Sequence, residues 1–140
     1  MTGYLLDTNI LSEVRKGDRA HAGVREWFKS VEDQNLYLSV LVLGEIRRGV
    51  ERLWDKDTTQ AGVLEKWLIG LEREFSDRIL GIDNQIAECW GRISASQPMS
   101  TTDGLLAATA ITQGMVLVTR NVRHVAHTGV RTLNPFGVED

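Results

Sequence analysis

A single cysteine, Cys89, in 140 residues leaves no second thiol to pair with. That excludes a disulfide framework and a paired-thiol zinc site. Its setting in "IAECWGRI", between helix-forming residues, suits core filling. Nor is there an excess of charge of either sign: 16 Lys and Arg against 19 Asp and Glu leave a formal net charge of -3. Such a chain exerts no global pull on a polyanion, so nucleic-acid binding would have to come from a local basic patch. Long apolar runs are missing as well. No stretch approaches the ~20 residues that span a bilayer, and Asp7 cuts short the first apolar residues, Leu5 and Leu6, before a secretory signal can form. A soluble, cytoplasmic protein without membrane contact is expected. There is no repeat, linker or low-complexity tract, and 140 residues at 42% hydrophobic suit one compact domain with its own core.

What is present alternates short apolar runs with longer amphipathic ones, the pattern of a parallel sheet covered by helices. Strands are predicted at "YLL" after Gly3, "LYLS" from Leu36, "RILGI" from Arg78, "MVLV" from Met115 and "VRTL" from Val130. Helices fill the intervals: "NILSEVRK" stopped by Gly17, "AGVREWFKSV", "VLVLGEIRRGVERLW", a long one from Thr58 to Phe75, "NQIAECWGRI", and "DGLLAATAITQ" stopped by Gly114. The stretch "DKDTTQAG" reads as a polar turn, with Thr58 or Thr59 as the N-cap of the helix that follows. Trp27, Trp54, Trp67 and Trp90 lie on these helices beside other apolar residues, and are expected in core or subunit contacts rather than as base-stacking platforms.

An open parallel sheet binds ligands at the carboxyl ends of its strands, where loops and helix N-termini gather. Asp7 follows the first predicted strand, with Thr8 and Asn9 opening the next helix. Glu45 lies in the second turn of the helix after "LYLS". Asp103 falls in the first turn of the helix before "MVLV", and Asn121 follows that strand in "TRN". Three acids and an amide therefore reach one rim if the strands are neighbours. Taken singly, Asp7 could cap its helix and Asp103 could complement a helix dipole, an arrangement worth about 0.3 to 1 kcal/mol. Glu45 is harder to place, because it stands at the edge of an inward stripe of Val42, Leu43, Ile46, Val50 and Leu53, where Gly49 is expected to open space. A buried, unpaired carboxylate is costly or takes up a proton, so it calls for a cation. Arg47 or Arg48 could serve, although neither stands four residues on. A divalent metal would satisfy all the acids at once.

Hard oxygen ligands without a matching His or Cys set favour Mg²⁺ or Mn²⁺ over zinc. Such an ion keeps several waters, leaves room for phosphate oxygens and lowers the pKa of bound water, which suits phosphodiester hydrolysis.

The segments "LLDTNILSEVRKG", "YLSVLVLGEIRRGVERL", "TDGLLAATAITQGMVLVTRNVRHV" and "GVRTLNPF" resemble, in order and spacing, the PIN domains of VapC-class toxins, in the subgroup similar to FitB. The resemblance runs nearly from end to end and implies one PIN domain over residues 1–140, a three-layer α/β/α fold around a short parallel sheet. It also implies Mg²⁺- or Mn²⁺-dependent endoribonuclease activity, leaving a 5′-phosphate and a 3′-hydroxyl. The implied partners are an RNA substrate and a small VapB-like antitoxin whose tail covers the active site. Promoter DNA would be bound only through the antitoxin complex, and a homodimer is expected.

Position by position, the resemblance makes Asp7, Glu45 and Asp103 the three catalytic, metal-binding acids and puts Asn121 at the fourth, more variable acidic position. Thr8 and Thr119 match hydroxyl residues that support the site. Two positions depart from the commoner pattern: Asn121 cannot carry charge, and His124 in "RNVRHV" stands where an aspartate is frequent. Arg15, Lys16, Arg120 and Arg123 could contact RNA phosphates, which would position a strand without choosing its sequence; a solvated surface role is open for each. Asp83 is expected to cap the helix at Asn84. His124 and His127 have metal-binding spacing but no further soft ligand beside them. Two alternatives stay open: a haloacid-dehalogenase-like phosphatase with Asp7 as nucleophile, against which Asn9 stands where a second aspartate is usual, and a non-catalytic module that binds RNA or a partner.

Overall fold

The computed structural model describes residues 2–137. Five short strands, β1 (Tyr4–Leu6), β2 (Leu36–Ser39), β3 (Ile79–Leu80), β4 (Val116–Val118) and β5 (Thr132–Leu133), form a parallel sheet in the order β3-β2-β1-β4-β5. Each falls within a run predicted to be a strand. The helices are α1 (Thr8–Val14), α2 (Ala22–Ser30), α3 (Val40–Trp54), α4 (Thr58–Glu74), α5 (Asn84–Ser94), α6 (Thr101–Gln113) and the four-residue α7 (Val122–Val125). Only α7 lacks a sequence prediction, because one turn is too short to display a period.

β1, β2 and β3 are each followed closely by a residue that caps the next helix. Asp7 ends β1 and caps α1, its side chain accepting from the Thr8 N–H. Ser39 closes β2 and accepts from the Leu41 N–H at 3.1 Å, and Asp83 caps α5 through the Ile86 N–H at 2.9 Å. Side-chain oxygens at this position satisfy amides that a first helical turn leaves unpaired. For α4 the cap is Asp57, which accepts from the Gln60 N–H at 3.0 Å, one residue before the threonines expected to do so. Gly114 ends α6 in the left-handed conformation, φ 68°, where a side chain would be strained.

From β1 the chain moves through β2 to β3 on one side, then crosses back to β4 and β5 on the other. Right-handed crossovers in opposite directions put their helices on opposite faces, so α1–α4 cover one face and α5–α7 the other. Packing agrees: α3 lies on α4 and α1, and α6 on α5 and α7. This is the expected three-layer α/β/α arrangement.

Leu5, Leu6, Leu36, Leu38, Leu117 and Val118 from the sheet meet Ile10, Val42, Leu68 and Leu106 from the helices, all buried. Each such side chain contributes roughly 1.5–3 kcal/mol by leaving water. Gly104 lets α6 approach α5 closely, since a Cβ there would stand 2.7 Å from Trp90 Cδ1. Trp27 meets Tyr4 edge-on at 5.3 Å, Trp67 packs on the core, and Trp54 is 38% exposed. No helix among the described residues is long and apolar enough to cross a membrane.

Candidate active site

The strand order reverses between β1 and β4, and the crevice at such a switch point is where an open parallel sheet offers a site. Asp7 and Thr119 leave these two strands side by side. The Asp7 N–H extends the ladder to the Val118 carbonyl at 2.9 Å. Its carboxylate, 8% exposed, accepts the Thr8 N–H at 2.7 Å on Oδ1 and the buried Thr119 hydroxyl at 2.8 Å on Oδ2. Thr119 Oγ1 accepts in turn from the Asn121 N–H at 3.0 Å. Asn9 ties the two strand exits together: its amide nitrogen lies 3.4 Å from both Asp7 Oδ2 and Thr119 Oγ1, and its carbonyl accepts the Arg120 N–H at 3.2 Å.

Glu45, on the second turn of α3, is half-buried. Its partner is Thr8, whose hydroxyl donates to Oε1 at 2.7 Å. Neither arginine considered for this role fills it: Arg47 pairs with Glu65 at 2.6 Å and Glu51 at 3.4 Å, and Arg48 is exposed. The space expected at Gly49 is taken up by α4, with Leu64 Cδ2 3.6 Å from where a Cβ would be. Asp103 sits in the first turn of α6, its N–H on the Ser100 hydroxyl oxygen at 3.1 Å. Its Oδ2 lies 3.4 Å from His124 Nδ1.

Asp7 registers the convergence electrostatically. Burial pushes its carboxyl above the ordinary carboxylate range, the Thr119 hydroxyl and the Thr8 N–H pull it down, and the negative charges of Asp103 and Glu45 push it up again. Thr8 links Asp7 to Glu45, its N–H on one carboxylate and its hydroxyl on the other, and Asp103 lies near enough for its charge to act on Asp7. Asn121 reaches the rim through its backbone; its exposed side chain makes no capping hydrogen bond. The basic residues spread out. Arg15 lies over the Trp67 ring at 5.2 Å, Lys16 pairs with Glu13 at 3.0 Å, Arg120 lies over Phe136 at 4.5 Å, and Arg123 is exposed on α7. The sequence did not mark Asn9 as the brace between strands; a second polar side chain two residues after Asp7 was the available signal.

The donor chemistry fits a hard cation. The carboxylates of Asp7, Glu45 and Asp103 are hard oxygen donors, with His124 Nδ1 beside Asp103, and a positive charge would offset both the burial that chiefly raises Asp7 and the smaller repulsion from its neighbours. Among the described residues no three His, Cys, Asp or Glu side chains close into a ready-made cage. That is compatible with magnesium, which is held by one or two carboxylates and leaves the remaining shell to water and substrate oxygens.

A family model described as "PIN domain" matches residues 4–129. The chain belongs to that family. This PIN domain is 29% identical to Toxin FitB of Neisseria gonorrhoeae over 139 residues, covering 94% of this chain and 97% of the relative. It is 27% identical to the VapC ribonuclease Y4jK of Sinorhizobium fredii over 139 residues, covering 94% and 96%. Among solved structures, FitAB bound to the IR36 DNA fragment superposes on this PIN domain with a TM-score of 0.84 at 28% identity, covering 98% of each chain.

Proposed function

We propose that this PIN domain is the toxin of a VapBC-type toxin–antitoxin pair and a divalent-metal-dependent endoribonuclease, with residues 1–140 acting as one domain. The observation that carries the proposal is the buried Asp7 carboxylate at the end of β1, held by Thr8 and Thr119 with Glu45 on the Thr8 hydroxyl; burial chiefly raises its pKa, and the charges of Asp103 and Glu45 add to that. Relatives along nearly the whole chain that are named as a toxin and as a ribonuclease support it. The FitAB structure on DNA supports an antitoxin partner through which promoter DNA is bound.

Asp7, Glu45 and Asp103 would hold Mg²⁺ or Mn²⁺, with the Asn121 amide oxygen assisting. When bound, such an ion supplies Lewis acidity at a phosphate oxygen and lowers the pKa of water. The chain's own groups do the rest. Thr119 and Thr8 fix the carboxylates of Asp7 and Glu45, so that little reorganisation is needed on binding. Glu45 Oε1 accepts the Thr8 hydroxyl, which leaves Oε2 to take a proton from the attacking water. Arg15, Lys16, Arg120 and Arg123 are candidate phosphate contacts that would orient the strand.

Purified protein freed of antitoxin should cleave RNA only with Mg²⁺ or Mn²⁺, and Asp7→Ala or Asp103→Ala should abolish cleavage. Either variant cutting as fast as the parent would remove the assignment. Expression in a bacterium should arrest growth, and Glu45→Gln should relieve the arrest; relief would also exclude a merely binding module. No observation favours the phosphatase alternative, in which Asn9 would stand at a position usually held by a second aspartate.

A further inference from the structure

A small cleft opens beside the acidic rim and shares one residue with it. Pro98, Met99, Ser100, Asp103 and His124 line a cavity of about 290 Å³. That is just below the usual span of small-molecule sites and suits one planar ring rather than a run of nucleotides. Its walls are of mixed character: a prolyl ring, a thioether and an imidazole. Met99 is packed against the core, with its sulfur 3.5 Å from where a Gly104 Cβ would stand. Ser100 is occupied as the cap of α6. His124 has Nδ1 turned to Asp103 at 3.4 Å, while its side chain remains 59% exposed. A carboxylate at one ring nitrogen orients an imidazole and leaves its faces and second nitrogen available.

We propose that this cleft seats one unpaired base of the RNA, next to the cleaved phosphodiester, between the Met99 side chain and the His124 ring. The proposal rests on the ribonuclease function above. Three observations carry it: Asp103 lines the cleft and also faces the acidic site, the volume of about 290 Å³ matches one ring, and the exposed His124 wall is a plane on which a base can stack. Proteins that recognise unpaired RNA stack splayed bases on aromatic rings, histidine included.

The test uses fluorescein-labelled single-stranded octaribonucleotides, intact or with one abasic nucleotide moved through each position. Binding is read by fluorescence anisotropy on the non-cleaving Asp7→Ala protein, and cleavage on the parent. One abasic position should weaken binding by about 5- to 150-fold, the span that stacking of one base supplies. His124→Ala and Met99→Ala, each added to Asp7→Ala, should weaken binding of intact RNA similarly but leave the abasic RNA unchanged, and His124→Phe should restore binding. The seat is refuted if no abasic position matters, or if the alanine variants weaken intact and abasic RNA alike while His124→Phe restores nothing. Coupling in binding without any cleavage by the parent would keep the seat and overturn the ribonuclease function. Cleavage without coupling would overturn the seat alone, and neither binding nor cleavage would overturn both.

Discussion

Thr119→Val isolates the hydroxyl that holds Asp7. Valine has nearly the shape of threonine, and position 119 is 1% exposed, so the change removes a donor and an acceptor with little loss of packing. The lost donor serves a buried carboxylate at 2.8 Å; a hydrogen bond to a charged group contributes about 1.5–3 kcal/mol. The lost acceptor leaves the Asn121 N–H, 3.0 Å away, to find water at the exposed rim, which adds less than a fully buried orphan. The expected destabilisation is about 2–4 kcal/mol, or roughly 6–15 °C in the melting midpoint of a chain of this size. Its pH dependence follows from Asp7. The folded pKa lies above the ordinary 3.8, so Asp7 favours the fold at acid pH, and that contribution is lost as pH rises through the folded value. The Thr119 hydroxyl lowers this pKa, and its removal raises it further. The gap between parent and variant is therefore widest above the folded pKa, where both proteins carry the carboxylate, and narrows toward acid. Thermal and urea unfolding from about pH 4 to pH 8 would measure it. Thr119→Ser keeps the hydroxyl and should lose much less. A gap independent of pH, or a serine variant as unstable as the valine one, would refute this account of Asp7.

Gly104→Ala should cost about 1–3 kcal/mol and shift tryptophan fluorescence, because its Cβ would meet Trp90 Cδ1 at 2.7 Å and Nε1 at 2.9 Å. Arg78→Ala should cost about 3 kcal/mol in urea unfolding: its guanidinium donates to the carbonyls of Asp33, Leu36 and Glu74 and lies 4.6 Å over the Phe75 ring, bracing the β2–β3 edge. Mg²⁺ should raise the melting midpoint of the parent, by about 2.7 kcal/mol of stability at a hundred times its dissociation constant. EDTA should reverse that shift, and Asp103→Asn should greatly diminish it.

Much of this molecule can be read locally. The period of apolar residues marks all five strands, and Asp7 and Asp83 announce helix starts because a short acceptor after an apolar run can satisfy the unpaired amides of a first helical turn. The choice between Asp57 and the neighbouring threonines is not local, since all three side chains can cap and only the backbone path decides which does. The partner of Glu45 is less local still. Arg47 and Arg48 were the nearest cations on the same helix, though not at the favoured spacing, but α4 supplies Glu65 to Arg47, and α1 brings Thr8 to Glu45.

By itself, the order of residues determined the elements and the presence of acids near their ends, because capping and periodicity act over a few neighbours. The return of the chain from β3 to the far side of β1 was decided only by tertiary structure. That crossing puts Thr119 on Asp7 and His124 on Asp103. These contacts join residues more than 100 and about 20 positions apart, and burial of both sheet faces, rather than any local preference, holds them there.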